Sequence, residues 1–328
     1  MEVDVAKDEI VDLIIGIAVI GGAAYAIYKG YLGQAVDAIL KGDFKLPDIG
    51  GGGTDGGGDT GGGTDTGGGG TSTGSAVKFS AAGDWGSARN SNWQGVVTQM
   101  EKFKPDVVVI PGDLSYSGAA KFKPVTDAIK KFGAKVFGAM GNHDSSSDAA
   151  NFDAFSNSVQ NIGNTSFMLL DTENASGTIA FAKANFAKMT GKWKVVVFHK
   201  PIKTMKSDHT PDEGKIGALV SEFEKAGINV VIQAHNHNYQ RFAPVGNVVY
   251  FVCGTGGEGH YSLSGGSAVK SDAKNFGTTN FTTSATDIKG QFVSTAGTVI
   301  DSFTITATAA TALAHAYTAR SRPKRLHW

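Results

Sequence analysis

The chain has 328 residues, 41% of them hydrophobic, which is enough for one large domain or two small ones around a sizeable core. Its 30 basic and 30 acidic side chains balance, so a global electrostatic attraction to nucleic acid is excluded and no nucleic-acid partner is predicted. The single cysteine, Cys253, excludes an intramolecular disulfide framework, and its apolar context VVYFVCG predicts a buried small hydrophobe.

Residues 1–49 begin with an acidic segment, which is followed by an uncharged apolar run from Leu13 to Tyr28. As a helix this run would span about 24 Å, against roughly 30 Å of bilayer hydrocarbon. It is rich in small residues such as Gly21 and Gly22, which let helices approach each other closely. We therefore predict an N-terminal apolar helix that either anchors the chain in a membrane or packs with copies of itself.

Two further segments are predicted to lack a core of their own. Residues 50–75 repeat Gly with Thr and Asp and cannot bury apolar surface, so we predict a flexible linker. Residues 307–328 are rich in Ala and Thr and carry basic side chains near their end, which predicts a solvated tail.

Between these segments, residues 76–306 alternate short β-branched runs with amphipathic patterns, which is typical of an α/β domain. Helical spacing of apolar residues predicts one helix from Trp93 to Phe103 and another from Ile216 to Phe223, before Gly227. The segment QFVSTAGTVIDSFTI predicts a hairpin around Ala296–Gly297. The predicted strands are Val77–Ala82, Asp106–Ile110, Lys135–Ala139, Ser166–Leu170, Lys194–Phe198, Asn229–Ala234 and Val248–Val252.

Five polar clusters each follow directly on one of these strands. Functional sites in open α/β sheets form at the carboxyl ends of strands, so one crevice is predicted to collect all five clusters. Each cluster alone is weak evidence, because Gly-Asp is an ordinary turn dipeptide and a histidine after a strand is usually structural. The clusters are GDWG at 83–86, GDLSY at 112–116, GNHD at 141–144, FHKP at 198–201 and AHNHNYQR at 234–241.

Taken in this order, the clusters resemble the motif series of the calcineurin-like metallophosphoesterases, and the tyrosine of GDLSY narrows the resemblance to the purple acid phosphatases. The resemblance covers residues 76–306 and implies a four-layer α/β/β/α sandwich with two metal ions bridged by one carboxylate. It assigns Asp84, Asp113, Tyr116 and His237 to the first metal, and Asp113, Asn142, His199 and His235 to the second. The sequence departs from the family pattern at Ala234, where Gly is usual, and at Asp144, where Glu is frequent; neither is a ligand position.

The chemistry of these side chains agrees with the resemblance. Carboxylate, phenolate, imidazole and amide oxygen are hard to borderline ligands, which suit Fe, Mn or Zn. A phenolate from Tyr116 favours a trivalent ion at the first position, so the predicted pair is Fe(III) with Fe(II), Zn(II) or Mn(II). Two such ions can hold an attacking hydroxide and the phosphoryl oxygens for in-line displacement, without a protein nucleophile.

The leaving alkoxide needs a proton, and two histidines are candidates to supply it. His143 is adjacent to Asn142, and His209 follows His199 in the loop MKSDHTPDE. The resemblance places substrate-contacting histidines in both neighbourhoods. The alternatives are an orienting hydrogen bond within the loop for His143 and plain solvated surface for His209. His260 in GTGGEGHY is a further candidate, and Arg241 is expected to pair with a nearby acid.

The resemblance therefore predicts an enzyme that hydrolyses monoesters of a small phosphorylated substrate. A phosphodiesterase or nucleotidase of the same superfamily is the nearest alternative. A surface or filament subunit that displays the domain is an alternative of another class. We expect a membrane-anchored or surface-assembled protein with its catalytic domain outside the cell, although the Lys residues around the apolar run favour the cytoplasmic side by the positive-inside rule.

Overall fold

The computed structural model describes residues 74–86, 91–116 and 123–306. The predicted N-terminal helix, the Gly-rich linker up to residue 73 and the C-terminal tail lie outside these residues. None of the helices in the described ranges is long and apolar enough to cross a membrane.

The described residues form two mixed β-sheets that are stacked on each other. The first has the strand order β13-β12-β11-β1-β2-β3, and the second has the order β10-β8-β9-β7-β6-β5-β4. The strands are β1 (Lys78–Ala81), β2 (Val107–Ile110), β3 (Lys135–Gly138), β4 (Ser158–Ile162), β5 (Thr165–Leu169), β6 (Trp193–Val197), β7 (Val230–Gln233), β8 (Tyr239–Phe242), β9 (Val249–Cys253), β10 (Ala268–Asp272), β11 (Gly277–Thr283), β12 (Asp287–Ser294) and β13 (Val299–Thr306).

Helices cover the outer face of each sheet. On the first sheet lie α1 (Asn92–Phe103) and α2 (Lys123–Lys131), and on the second lie α3 (Ala175–Asn185), α4 (Glu213–Ile216) and α5 (Leu219–Lys225). Short 3₁₀ turns occur at Ser146–Asn151 and Phe186–Lys188. The order of layers is helix, sheet, sheet, helix, so the predicted four-layer sandwich is present in the described residues.

The apolar cores follow from the two-residue period of the strands. In β2, Val107 and Val109 point into the core between the sheets, whereas Val108 and Ile110 face the helices. Both faces of the central strands are therefore buried, which is why their sequences are nearly continuous apolar runs. Cys253 lies in the core between the sheets, as predicted for a buried small hydrophobe, and burial raises the pKa of its thiol to about 12.

All seven predicted strands are present, each within one residue of its expected ends. The first predicted helix is α1, and the predicted hairpin is β12–β13, whose turn includes Gly297 at φ 83°. The predicted helix from Ile216 to Phe223 is divided into α4 and α5 at Gly217–Ala218, where glycine lowers the cost of leaving the helical conformation.

The parallel strands bring the polar clusters to one edge of the sandwich. Strands β1, β2 and β3 run parallel in the first sheet, and β6, β7 and β9 run parallel in the second. The carboxyl ends of these strands carry the clusters that the sequence singled out. A contact across the sheets joins the two groups: His199, after β6, has its Nδ1 2.9 Å from the carbonyl oxygen of Pro111, after β2.

Candidate metal centre

The first predicted ligand set forms a contiguous polar cluster. The hydroxyl of Tyr116 lies 2.7 Å from His237 Nε2 and 3.1 Å from Asp84 Oδ1. His237 Nε2 is 3.6 Å from Asp84 Oδ1. Asp84 and His237 are buried and Tyr116 is half-buried. Three potential metal-ligand atoms, two oxygens and one nitrogen, thus lie close together although they come from three separate loops.

The second predicted set lies beside the first and shares Asp113. His199 Nε2 is 3.1 Å from Asn142 Oδ1, 3.1 Å from His235 Nδ1 and 3.3 Å from Asp113 Oδ2. Asp113, His199 and His235 offer ligand atoms that all lie within 4.8 Å of one another. The structure therefore brings together all seven side chains that the resemblance assigned to the two metals.

The backbone at three of these residues is held in an unfavourable conformation. Asp84, Asp113 and His235 have φ angles of 56°, 51° and 69°, in the left-handed region that side chains other than glycine seldom adopt. In the described residues only two other non-glycine residues share this feature, Lys104 and Asn157. Such strain persists where the surrounding structure enforces it, and it concentrates at functional sites.

Two glycines permit the close approach of the loops. A Cβ on Gly112, which has a φ of 94°, would lie 2.5 Å from His199 Nδ1. A Cβ on Gly141 would lie 2.1 Å from Asp113 Oδ1. The Gly-Asp and Gly-Asn dipeptides of the clusters are thus more than turn signals, because a side chain at either glycine would occupy the space of a candidate ligand.

Asp144 positions the loop that carries the second set. Its carboxylate accepts hydrogen bonds from the main-chain N–H groups of Asp113 and Leu114, both at 2.8 Å, and of Gly141 at 2.9 Å. Burial, together with the charge of Asp113, raises the pKa of Asp144 to about 6. Although glutamate is frequent at this position in the family, the aspartate still connects the loops after β2 and β3 through these hydrogen bonds.

The candidate ligands are buried close together, so each one shifts the pKa of its neighbours. Burial alone would lower the pKa of His199, but the Asp113 carboxylate raises it to about 9. Burial alone would raise the pKa of Asp113, but His199 holds it well below its usual range. Burial raises the pKa of Asp84, and burial with His199 lowers that of His235 to about 2. The Tyr116 phenol has its pKa raised by burial, Asp84 and Asp113, so it stays protonated without a nearby cation.

One buried atom tests whether a metal would fit. Asp113 Oδ2 is buried and has no hydrogen-bond donor among the described residues. Its 3.3 Å separation from His199 Nε2 is an ionic contact and not a directed hydrogen bond. Buried carboxylate oxygens are normally satisfied by donors or by a metal, and the neighbouring imidazoles are themselves metal ligands. The residues present therefore fit a metal ion at this point.

The predicted proton donors lie beside the ligands. The ring of His143 lies against that of Tyr116 in a tilted arrangement, with centroids 4.2 Å apart, and His143 is exposed. The ring of His209 stacks on His235 at 3.7 Å and is half-buried. Burial, with a contribution from His237, lowers the pKa of His209. Both histidines are thus near the centre, one beside each ligand set.

The remaining polar candidates have structural partners. His260 stacks on Phe276 at 4.0 Å, and its Nδ1 lies 3.2 Å from the main-chain oxygen of His237. Arg241 pairs with Asp301, as expected, through Nε at 2.7 Å and Nη2 at 3.0 Å.

The segment after β9 contributes to the site, and the sequence analysis named only His260 from it. Tyr261 stacks on His237 with centroids 3.8 Å apart, and Gly259 accepts a hydrogen bond from His237 Nδ1. The signal was present, because β9 was predicted and its sequence continues as GTGGEGHY. Since β9 is parallel to β7, its carboxyl end lies at the same edge as the five clusters.

Fold and site together define a class: a two-sheet α/β sandwich with a candidate metal centre where the parallel strands of both sheets end. The model of the calcineurin-like phosphoesterase family matches residues 77–239, which include every predicted metal ligand. The chain belongs to the calcineurin-like phosphoesterase superfamily and is similar to the purple acid phosphatases.

Individual relatives agree with this assignment. Purple acid phosphatase 21 of Arabidopsis thaliana is 28% identical over 213 residues, with 54% of this chain and 48% of the relative covered. The chain therefore spans about half the length of this curated relative. Among solved structures, purple acid phosphatase PPD1 from yellow lupin (Lupinus luteus) seeds has a TM-score of 0.58 at 17% identity, covering 73% of this chain and 55% of that one.

A second solved structure has the same score. GAP50, the anchor in the inner membrane complex of Plasmodium, has a TM-score of 0.58 at 16% identity, covering 74% of this chain and 94% of that chain. At these identities, the likeness to solved structures establishes the fold alone.

Proposed function

We propose that this protein hydrolyses phosphate monoesters at a two-metal centre. The observation that carries the proposal is the Asp113 carboxylate, which is buried between the two ligand sets with Oδ2 lacking a donor among the described residues. An unsatisfied buried polar group costs on the order of 1–3 kcal/mol, and more if it is charged. A bridging position between two cations would remove that cost. The first ion would be held by Asp84, Asp113, Tyr116 and His237, and the second by Asp113, Asn142, His199 and His235.

The nature of the ligands supports a mixed-valence or mixed-metal pair. When bound, two metal ions supply a nucleophile at neutral pH and neutralise the phosphoryl oxygens. Tyr116 ionises only beside a strong cation, because burial and the neighbouring carboxylates raise its pKa. A trivalent ion meets this requirement, so we propose Fe(III) at the first position and Fe(II), Zn(II) or Mn(II) at the second.

The two histidines beside the ligands are proposed to contact the phosphate and to protonate the leaving oxygen. His143 is held at its main chain, where its N–H donates to Asp113 Oδ1 at 2.9 Å, and its exposed ring lies against Tyr116, where a substrate could reach it. His209 is held similarly, because its N–H donates to Asn236 Oδ1 at 3.1 Å. The main chain of each histidine is thus held by a hydrogen bond, and each imidazole lies next to a different ligand set.

A phosphodiesterase or nucleotidase activity is the alternative within the superfamily. A display or anchoring role is the alternative outside enzymology, and GAP50 is a protein of this fold with an anchoring role. The complete set of candidate ligands supports turnover, because three of them have strained backbone φ angles and such strain concentrates at functional sites.

For location, we propose that residues 1–49 attach the enzyme to a membrane or to copies of itself, with the catalytic domain outside the cell. Deletion of residues 1–49 is expected to give a soluble, monomeric and active chain. Protease cleavage within residues 50–75 in intact cells would place the domain outside. A full-length chain that is soluble and monomeric without detergent would overturn this proposal.

The activity is tested on the purified full-length chain with an aryl phosphate monoester and the matching diester. Two metal ions per chain, faster hydrolysis of the monoester and a visible phenolate-to-iron band are expected. Tyr116→Phe should bleach the band while the fold is kept, which circular dichroism would check. A colourless and fully active protein with only Mn or Zn would refute the iron assignment, whereas faster diester hydrolysis would favour the alternative activity.

A further inference from the structure

Three consecutive residues after β9 enclose His237. The main-chain oxygen of Gly259 accepts a hydrogen bond from His237 Nδ1 at 2.7 Å. The N–H of Tyr261 donates to the main-chain oxygen of His237 at 3.2 Å, and His260 Nδ1 is 3.2 Å from the same oxygen. The phenol ring of Tyr261 lies on the imidazole of His237, with centroids 3.8 Å apart and planes inclined by 15°. Gly259–Tyr261 therefore form a clasp on one candidate ligand.

The clasp fixes both the tautomer and the orientation of the imidazole. Because a carbonyl oxygen can only accept, Nδ1 of His237 must carry the proton, and Nε2 is left with its lone pair. That lone pair points at the Tyr116 hydroxyl, 2.7 Å away, beside Asp84. The stacked ring of Tyr261 limits rotation of the imidazole about its own axis. Partners of this kind orient metal-binding histidines and raise their basicity.

The segment's contacts favour the first ligand set over the second. Its Glu258 N–H donates to the main-chain oxygen of Asp84 at 2.9 Å, so the two first-set residues Asp84 and His237 are both contacted. Among the ring contacts of the described residues, Tyr261 approaches the second set through His209, whose ring is 5.4 Å from its own. His209 in turn stacks on His235. Loss of the Tyr261 ring should therefore affect the orientation of His237 more than that of any second-set ligand.

We propose that Tyr261 is a positioning residue that holds His237 for the first metal ion and has no direct part in binding the second. The inference rests on the proposed two-metal centre. A ring stacked on one face of the imidazole excludes water there and keeps Nε2 directed at the site. Removal of the ring leaves the main-chain hydrogen bonds of the clasp in place, so the expected loss is at the low end of the range for outer partners of metal ligands.

The test measures metal affinity on the metal-depleted full-length chain, titrated with Zn(II) against a competing chelator. The unmodified chain should bind two ions. Tyr261→Ala should weaken one site about 10-fold and leave the other unchanged. Tyr261→Phe keeps the stacked ring, so both sites should bind metal as tightly as in the unmodified chain. In the His235→Asn background, where only the first ligand set is intact, Tyr261→Ala should weaken the site that remains.

Two further variants separate positioning from general loss of stability. Tyr261→Leu keeps apolar bulk but not the stacked plane, and it replaces Tyr261→Ala if the latter fails to fold. Tyr250→Leu removes another tyrosine, one buried on the helix-covered face of the second sheet, and should lower the melting temperature without changing either affinity. If each site binds its ion with the same affinity in the unmodified chain, in Tyr261→Ala and in Tyr261→Leu, the inference about Tyr261 is overturned and the proposed function is not. A chain that binds no pair of ions would overturn the proposed function as well.

Discussion

Two groups of buried polar side chains join the two sheets, and they differ in how their charges are satisfied. Arg241 on β8 and Asp301 on β13 form a bidentate ion pair, and the hydroxyl of Tyr239 donates to the same carboxylate at 2.7 Å. At the candidate metal centre, Asp113 has an oxygen without a donor among the described residues, and His199 faces both Asp113 and His235.

The two groups differ in whether the protein alone supplies a donor to each carboxylate oxygen. The Arg241 pair is complete within the protein, since each carboxylate oxygen of Asp301 has a donor, and it needs nothing from outside. At the centre, Asp113 Oδ2 has an ionic contact with His199 at 3.3 Å but no hydrogen-bond donor among the described residues, and a buried carboxylate oxygen of this kind is costly unless a cation binds it. Of these two groups in the described residues, the one around Asp113 has the strained φ angles, at Asp84, Asp113 and His235. Composition alone would not separate the two, because both contain acidic, basic and phenolic side chains.

The largest expected effect comes from neutralising the shared carboxylate. Asp113→Asn should weaken both metal sites at once, because it removes the only anionic side chain common to the two proposed ligand sets. The loss of affinity at each site should exceed the roughly 10–100-fold that follows from losing an outer partner. Metal analysis and phosphatase assays on the purified variant check this. If one site keeps its affinity, Asp113 does not bridge.

The next effect concerns the histidines beside the centre. His143→Ala and His209→Ala should each lower kcat by about 10²–10⁴-fold with metal content intact, as for the loss of a proton donor. Since burial lowers the pKa of His209, activity that needs its protonated form should be lost as the pH rises through that lowered pKa, below neutrality. His209→Ala should remove this limb of the pH–rate profile. Unchanged kcat in both variants at full metal occupancy would remove the assignment.

The comparison also shows what the sequence could predict. The seven apolar strands and the polar clusters after them were predictable, because burial on both faces gives continuous apolar runs and parallel strands end at one edge. Strands β4 and β11 were missed, since SVQNI and GTTNFTT are rich in polar residues and lack a clear alternation. Helix α3 was missed because its sequence ASGTIAFAKAN has almost no amphipathic pattern.

Contacts between particular side chains could not be predicted from the sequence, for a different reason. Arg241 and Asp301 lie 60 residues apart in sequence, and their pairing depends on the stacking of two sheets. Tyr261 contacts His237 only because β9 lies beside both β7 and β8. A residue's type can suggest what it could bind, but the contact itself is set by packing that no local pattern encodes.

A smaller effect is the release of protons on metal binding. The metal-free centre holds a proton on His199, whose pKa of about 9 is raised by Asp113 despite burial, and another on the Tyr116 phenol. Both must leave when the groups bind metal, so about two protons should be released per pair of ions at neutral pH. Calorimetric titrations in buffers of different ionisation enthalpy measure this number, and Tyr116→Phe should lower it by about one.

The sign of the pH dependence follows from the raised pKa of His199. In the metal-free chain, the ion pair with Asp113 stabilises the fold fully below the unfolded pKa of about 6.5, and that contribution is lost as the pH rises through about 9. Metal affinity should change in the opposite direction and rise with pH over the same window. Affinity that is independent of pH between 6.5 and 9 would contradict a protonated His199.

The smallest expected effect is on the complete ion pair. Asp301→Asn keeps the shape of the side chain but removes its charge, so Arg241 is left partly buried without a counter-ion. The free energy of unfolding should fall by about 1–3 kcal/mol, which corresponds to a melting temperature lower by several degrees. Thermal unfolding followed by circular dichroism checks this, while metal content and kcat should stay unchanged because the pair is separate from the centre.

The dependence of folding stability on pH in the acid range distinguishes a loss of charge at Asp301 from a loss of packing. Burial alone would raise the pKa of Asp301, but the hydrogen bonds from Arg241 and Tyr239 hold it below its usual value. The pair therefore stabilises the fold above the unfolded pKa of about 3.9, and this contribution is lost as the pH falls through the lower folded pKa. The unmodified chain and Asp301→Asn should converge in stability towards low pH. A constant difference from neutral to low pH would mean that Asp301 acts by packing, and the contrast with Asp113 would then lose its electrostatic basis.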